Sequence, residues 1–119
     1  MALVQLLDTF LTTPEGKEKI PEFQQSNSQL MDVTHSPKVS EHQVMGFFRI
    51  RKGEPLHYKY TYNELKYVIS GSIIVKDKTT GITHHAKAGN VFNFSIGADV
   101  EFTSEDEGLA VFSGQRDPL

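Results

Sequence analysis

His57, Lys59 and Glu64 are the residues whose types and spacing best suit chemistry in this chain. They lie in the run His57-Tyr58-Lys59-Tyr60-Thr61-Tyr62-Asn63-Glu64, with Gly71 following. Side chains alternate across a strand, so His57 and Lys59 share one face and Tyr58, Tyr60 and Tyr62 the other. A neutral imidazole and a carboxylate are metal ligands. The same two groups with an amine are also the equipment of acid–base catalysis, in which a lysine proton steadies a developing oxyanion or enolate.

The spacing His57-x-Lys59-x4-Glu64-x6-Gly71 resembles the first motif of the cupin family, G-x5-H-x-H-x(3 or 4)-E-x6-G, with Lys59 in place of the second histidine. The opening glycine is displaced, because Gly53 stands three residues before His57. The second cupin motif, G-x5-P-x-G-x2-H-x3-N, is similar to Gly89-x5-Ser95-x-Gly97-x2-Val100, which keeps both glycines and loses the proline and the histidine. Among cupins the chain most resembles the small ethanolamine-utilisation type. The resemblance implies an all-β jelly-roll barrel whose His-x-His face lines the interior, which places His57, Lys59 and Glu64 inside. It also implies a homodimer, since small cupins commonly exchange edge strands.

Three readings of the trio stay open. A divalent metal is held weakly by His57 and Glu64, opposed by the Lys59 ammonium. Alternatively no metal is bound, and Lys59 with Glu64 does acid–base work on a small substrate. In the third, Lys59 and Glu64 form a salt bridge that closes the vacated space. The expected cofactor is therefore none, or a weakly bound divalent metal.

Phe48, Tyr62, Phe94, Val100 and Phe102 are expected to line a ligand pocket, apolar with a few convergent polar groups. Phe48 and Ile50 alternate with Arg49 and Arg51; if the apolar set faces the barrel the arginines face outward, and the reverse would put Arg49 in the pocket as a carboxylate anchor. The tyrosine stripe reads as cross-strand packing or a dimer surface, although the loop before Glu64 could turn Tyr60 or Tyr62 inward. His84 and His85 are adjacent, so they point opposite ways and cannot chelate one ion together. His35 and His42 have no partner at ligand spacing.

These residues need a scaffold, and 119 residues support one core. The expected layout is one domain over 1–119, with an N-terminal helix and extension over 1–43 and the barrel over 44–119. Leu3, Leu6, Leu7 and Phe10 at helical spacing predict a short helix over residues 2–11. The polar stretch Lys17 to His42 reads as a long connection with one short strand around Leu30 to Val33. From Val44 onward, seven β-rich runs are separated by Gly, Pro, Asn or Asp breaks, the pattern of an all-β barrel or sandwich. Double-sheet rolling hides most strand edges, so a jelly roll is the natural closure.

Composition narrows the function. With 12 basic and 15 acidic residues there is no polycation for nucleic acid. No apolar run reaches the roughly 18 to 20 residues that span a bilayer, and the N-terminus reads as lacking a secretory signal, so a cytoplasmic protein is expected. Without cysteine there is no thiolate nucleophile or Cys-type zinc site. Neither Gly89 nor Gly97 opens a helix to cradle phosphate, and there is no G-x-S-x-G elbow. The expected protein binds a small organic molecule and acts as a lyase, isomerase or cyclase through His57, Lys59 and Glu64. The alternatives are a non-catalytic binding or sensing cupin and a weakly metal-dependent enzyme.

Overall fold

The computed structural model describes residues 4–119, so the first positions of the helix expected over residues 2–11 lie outside the described residues. Residues 4–10 carry no regular structure. Leu6, Leu7 and Phe10 are exposed, and a ten-residue helix without a packing partner is marginal in water. The helix forms later instead, as α1 (Pro14–Glu18). Thr13 caps it: its Oγ1 accepts from Gly16 N at 3.0 Å, with Pro14 in the first turn.

Nine strands follow: β1 (Glu22–Phe23), β2 (Gln25–His35), β3 (Gln43–Arg51), β4 (Leu56–Lys59), β5 (Glu64–Asp77), β6 (Thr83–Lys87), β7 (Val91–Phe94), β8 (Asp99–Thr103) and β9 (Glu107–Gln115). The seven runs from Val44 onward are all strands. The polar connection is not a connection: β2 is eleven residues long and pairs with β3 from Ser28 to His35. Its Ser, Asn and Gln side chains masked it, because these residues are depleted in strands unless a neighbouring ladder recruits them.

All pairings are antiparallel, and β5 is the pivot of the molecule. Its first half, Glu64 to Tyr67, pairs with β7 and β9, and its second half, from Ser72, pairs with β6 and β8. One sheet therefore runs β1-β2-β3-β9-β5-β7, the other β6-β5-β8-β4, and they share the bent strand. The bend falls where the β5–β9 register shifts between Val68 and Ser70, next to Gly71. Gly71 has φ +72, and a Cβ there would meet Glu107 O at 2.0 Å. Only glycine allows that conformation and that approach.

Between the sheets lies one apolar cluster that includes Phe48, Ile50, Val68, Phe94, Val100, Phe102 and Phe112. Phe48 and Ile50 point into it, as expected of the apolar set. Arg49 faces the other way but is buried under α1, where it pairs with Glu18 at 3.1 Å and Glu107 at 2.6 Å.

Candidate functional site

β4 presents the opposite face to the one expected. His57 and Lys59 are exposed, and His57 Nε2 sits 2.5 Å from Asp99 Oδ1 on the neighbouring strand β8, with Lys78 Nζ 3.3 Å away. That hydrogen bond and the nearby lysine charge hold the Asp99 carboxyl below its usual range. Tyr58, Tyr60 and Tyr62 are the residues turned inward, Tyr60 and Tyr62 buried and Tyr58 packed on the core. β4 starts on the buried Leu56, so alternation sends Tyr58 in and His57 and Lys59 out. The first-motif spacing holds when read one residue on, as Tyr58-x-Tyr60-x3-Glu64-x6-Gly71, with phenols in both histidine places.

Of the three residues expected to do chemistry, Glu64 alone lies inside. His57 and Glu64 are on opposite sides of the wall, so they cannot share an ion. Glu64 has another partner, Lys66, two residues along the same face of β5. Lys66 Nζ is 2.5 Å from Glu64 Oε1, and both side chains are 3% exposed. The ammonium lies over four aromatic rings: Phe48 at 4.6 Å, Phe112 at 5.2 Å, Phe102 at 5.3 Å and Phe94 at 5.8 Å. Ring faces carry partial negative charge and stand in for part of its lost hydration. Lys66 was legible in the sequence only conditionally: once Glu64 faces inward, a period of two places Lys66 there too.

The tyrosines complete the cluster. Tyr60 donates its hydroxyl hydrogen to Glu64 Oε1 at 2.7 Å, and Tyr62 reaches Glu64 Oε2 at 3.5 Å. Tyr58 and Tyr62 hydroxyls are 2.7 Å apart. Burial, then the Glu64 charge, pushes both the Tyr60 and the Tyr62 phenol far above the ordinary range, so both remain hydrogen donors across working pH. Behind Tyr62, Arg116 lies over its ring at 5.7 Å and forms a two-point pair with Asp32 at 2.7 and 2.9 Å.

The expected pocket residues Phe48, Tyr62, Phe94, Val100 and Phe102 are all buried in this core and lie close together. Two openings approach the cluster. A crevice lined by Phe23, Leu30, Leu56, Tyr58 and Tyr62 leads down to Glu64 and Lys66 and has a cavity volume of about 20 Å³. A cleft of about 650 Å³ lies between the unpaired edges of β6 and β7, where the two strands fork from β5. Phe94 and Val100 line it, and Phe94, stacked on Tyr60 at 4.7 Å and 12°, separates the cleft from the cluster. His84 and His85 are exposed at its rim.

A divalent metal does not suit this donor set. In the motif's ligand places stand the phenols of Tyr58 and Tyr60, the latter held protonated by burial, a carboxylate whose Oε1 already accepts from an ammonium and a phenol, and Val100. Among the described residues no group of three or more His, Asp or Glu side chains converges.

No family model matches the chain, and no curated protein matches it in sequence. Solved structures do. Ethanolamine utilization protein Q from Salmonella typhimurium LT2 superposes with a TM-score of 0.65 at 22% identity, over 76% of this chain and 71% of that one. An RmlC-like cupin from Shewanella frigidimarina NCIMB 400 gives 0.61 at 17% identity, over 84% and 86%. The polyketide cyclase RemF from Streptomyces resistomycificus gives 0.64 at 15% identity, over 76% and 66%.

Proposed function

Since the chain has the cupin fold and resembles ethanolamine utilization protein Q in structure, we propose that it binds a small, partly apolar organic molecule in the barrel and moves a proton on it, as a lyase, isomerase or cyclase does. Glu64 is the base. Lys66 fixes the carboxylate, and Tyr60 and Tyr62 keep it hydrogen-bonded. One observation carries this reading: a carboxylate and an ammonium, both 3% exposed, meet at 2.5 Å inside an apolar barrel. Removing two charges from water costs several kcal/mol per ion, and apolar residues of the same volume would stabilise the barrel as well or better. Strongly coupled buried charges beside a cavity are characteristic of functional sites. His57 and Lys59, on the outer surface, have no part in it.

The reaction class has a direct test. Proton abstraction beside a carbonyl is the step that many lyases, isomerases and cyclases share, so the protein should speed deuterium uptake from D2O into a panel of small enolisable ketones that also carry a hydroxyl group, followed by NMR. Glu64→Gln should abolish the acceleration, and Lys66→Met should reduce it strongly. Uptake no faster than in buffer across the panel would exclude this chemistry.

A second reading has its own support. The space at Glu64 holds about one water, whereas the cleft between β6 and β7 has room for a small molecule. In that case the protein binds a ligand in the cleft without transforming it, and Phe94 seals off the charged pair. Ligand recovered unchanged would favour it.

The protein we infer is a cytoplasmic homodimer. Among the described residues no helix is long and apolar enough to cross a membrane. What supports the dimer is the outer face of the larger sheet, where Met45, Leu65, Tyr67, Ile69 and Val91 are exposed. Paired neighbours in that sheet align Phe47, Val111, Tyr67 and Val91 in one row across four strands.

A further inference from the structure

We propose that the crevice under Phe23 takes its ligand through a hydrogen-bond donor on an aromatic-sized ring, a phenol or a similar ring alcohol, and that the accepting atom is Glu64 Oε2. This rests on the reading of Glu64 as the base and adds the class of molecule it serves.

The unequal occupancy of the two Glu64 oxygens carries the inference. A carboxylate accepts and never donates. Glu64 Oε1 is occupied twice at short range, by Lys66 at 2.5 Å and Tyr60 at 2.7 Å. Oε2 has a single long contact, Tyr62 at 3.5 Å. Across the 2.7 Å pair of Tyr58 and Tyr62 either hydroxyl can donate, and if Tyr62 donates there Oε2 has no donor at all. The Lys66 ammonium is enclosed by the Phe48, Phe102 and Phe112 rings. Glu64 Oε2 is thus the carboxylate oxygen left without a short-range donor, on a residue that lines the foot of the crevice. A molecule that brings a hydrogen is matched there, and one that brings only an acceptor meets like polarity. An unmatched buried acceptor loses its full desolvation cost, so the discrimination is steep.

Phe23 defines the size. Its ring lies 6.1 Å from that of Tyr58, tilted by 55°, and the space beneath holds about one water. Anything larger must take the place of that ring. The strand that carries it is built to yield: β1 has two residues, pairs at Glu22 and Phe23 with a register shift between them, and is followed by Gln24 at φ 62. Leu30 and Leu56 then flank an apolar ring whose donor points down to Oε2.

Saturation-transfer NMR titration with phenol, pyridine at pH 8 and toluene tests this, because the three rings are alike in size and offer a donor, an acceptor or neither. Each is titrated into the wild-type protein and into Phe23→Ala, which vacates the slot. Phenol should bind at least about tenfold more tightly than either of the others in both proteins, and more tightly to Phe23→Ala than to wild type. Glu64→Gln should erase the preference. Equal binding of phenol and toluene, preference for pyridine, or no phenol binding to the vacated slot would overturn the proposal. If phenol is preferred while ketones take up no deuterium, the base reading falls and the donor-specific site stands. If ketones take up deuterium without any preference for phenol, the base reading stands and the donor-specific site falls.

Discussion

Lys66 and Glu64 form an ion pair at 2.5 Å at the foot of a crevice of only about 20 Å³. Its stability signature should be asymmetric. Lys66→Met leaves a carboxylate buried without its cation, and Glu64→Gln leaves a buried ammonium, so each single change should cost about 3–5 kcal/mol in urea unfolding. The double change Lys66→Met with Glu64→Leu removes both charges and should return most of that loss. A double variant as unstable as the sum of the singles would mean that the pair is not the coupled unit described.

Gly71 governs whether the second half of β5 can join the other sheet. Gly71→Ala places a methyl group 2.0 Å from Glu107 O at a backbone φ of +72. The left-handed conformation alone costs about 1–3 kcal/mol for a residue with a Cβ, and the clash adds to it. Thermal unfolding should show a lowered Tm, or no folded protein. By contrast Gly81, at φ +77, faces open space and its alanine variant should lose only the conformational part.

The barrel was largely legible because turn residues punctuate it and because Gly71 and Gly97 stand at the spacing of the cupin motifs. β2 was not, since its strand character comes from the β3 ladder and not from its own Ser, Asn and Gln side chains. The site was half legible. Glu64 was found by spacing, but the choice between a three- and a four-residue spacer decided which face of β4 pointed inward. That choice depends on where β4 ends, at Lys59, and on the turn that carries Tyr60 and Tyr62 into the core. A one-residue slip exchanges every side chain between faces, and it exchanged His57 and Lys59 for the tyrosines. The N-terminal helix failed for a different reason: periodicity identifies an apolar face but does not say whether anything covers it.

The uncovered sheet face gives a prediction about assembly. Tyr67 and Leu65 are surface residues of β5, so charged replacements there should leave the fold intact. Sedimentation velocity at tens of micromolar should find the wild-type chain at twice its 13.4 kDa mass. Tyr67→Glu combined with Leu65→Glu should shift it to the monomer. Wild type sedimenting as a monomer throughout would remove the homodimer.

Asp32 and Arg116 tie β2 to the C-terminal segment behind Tyr62, and their pairing predicts an acid limit. Burial by itself would raise the Asp32 carboxyl, but hydrogen bonds from Arg116 and from Leu119 N at 2.8 Å, with the guanidinium charge, hold it below its ordinary 3.8. A carboxyl depressed in the folded state adds stability that is complete above its unfolded value and is lost as pH falls through the folded one. The wild-type advantage over Asp32→Asn should therefore be full from about pH 5 upward and shrink below about pH 4. Charged hydrogen bonds of this kind contribute about 1.5–3 kcal/mol, which sets the size of the neutral-pH gap. Because Arg116 also lies over the Tyr62 ring, Asp32→Asn should loosen Tyr62 as well, broadening its ring resonances in NMR. A gap between the two proteins that stays constant from pH 7 to pH 2.5 would show that the Asp32 charge contributes nothing to holding this end of the barrel.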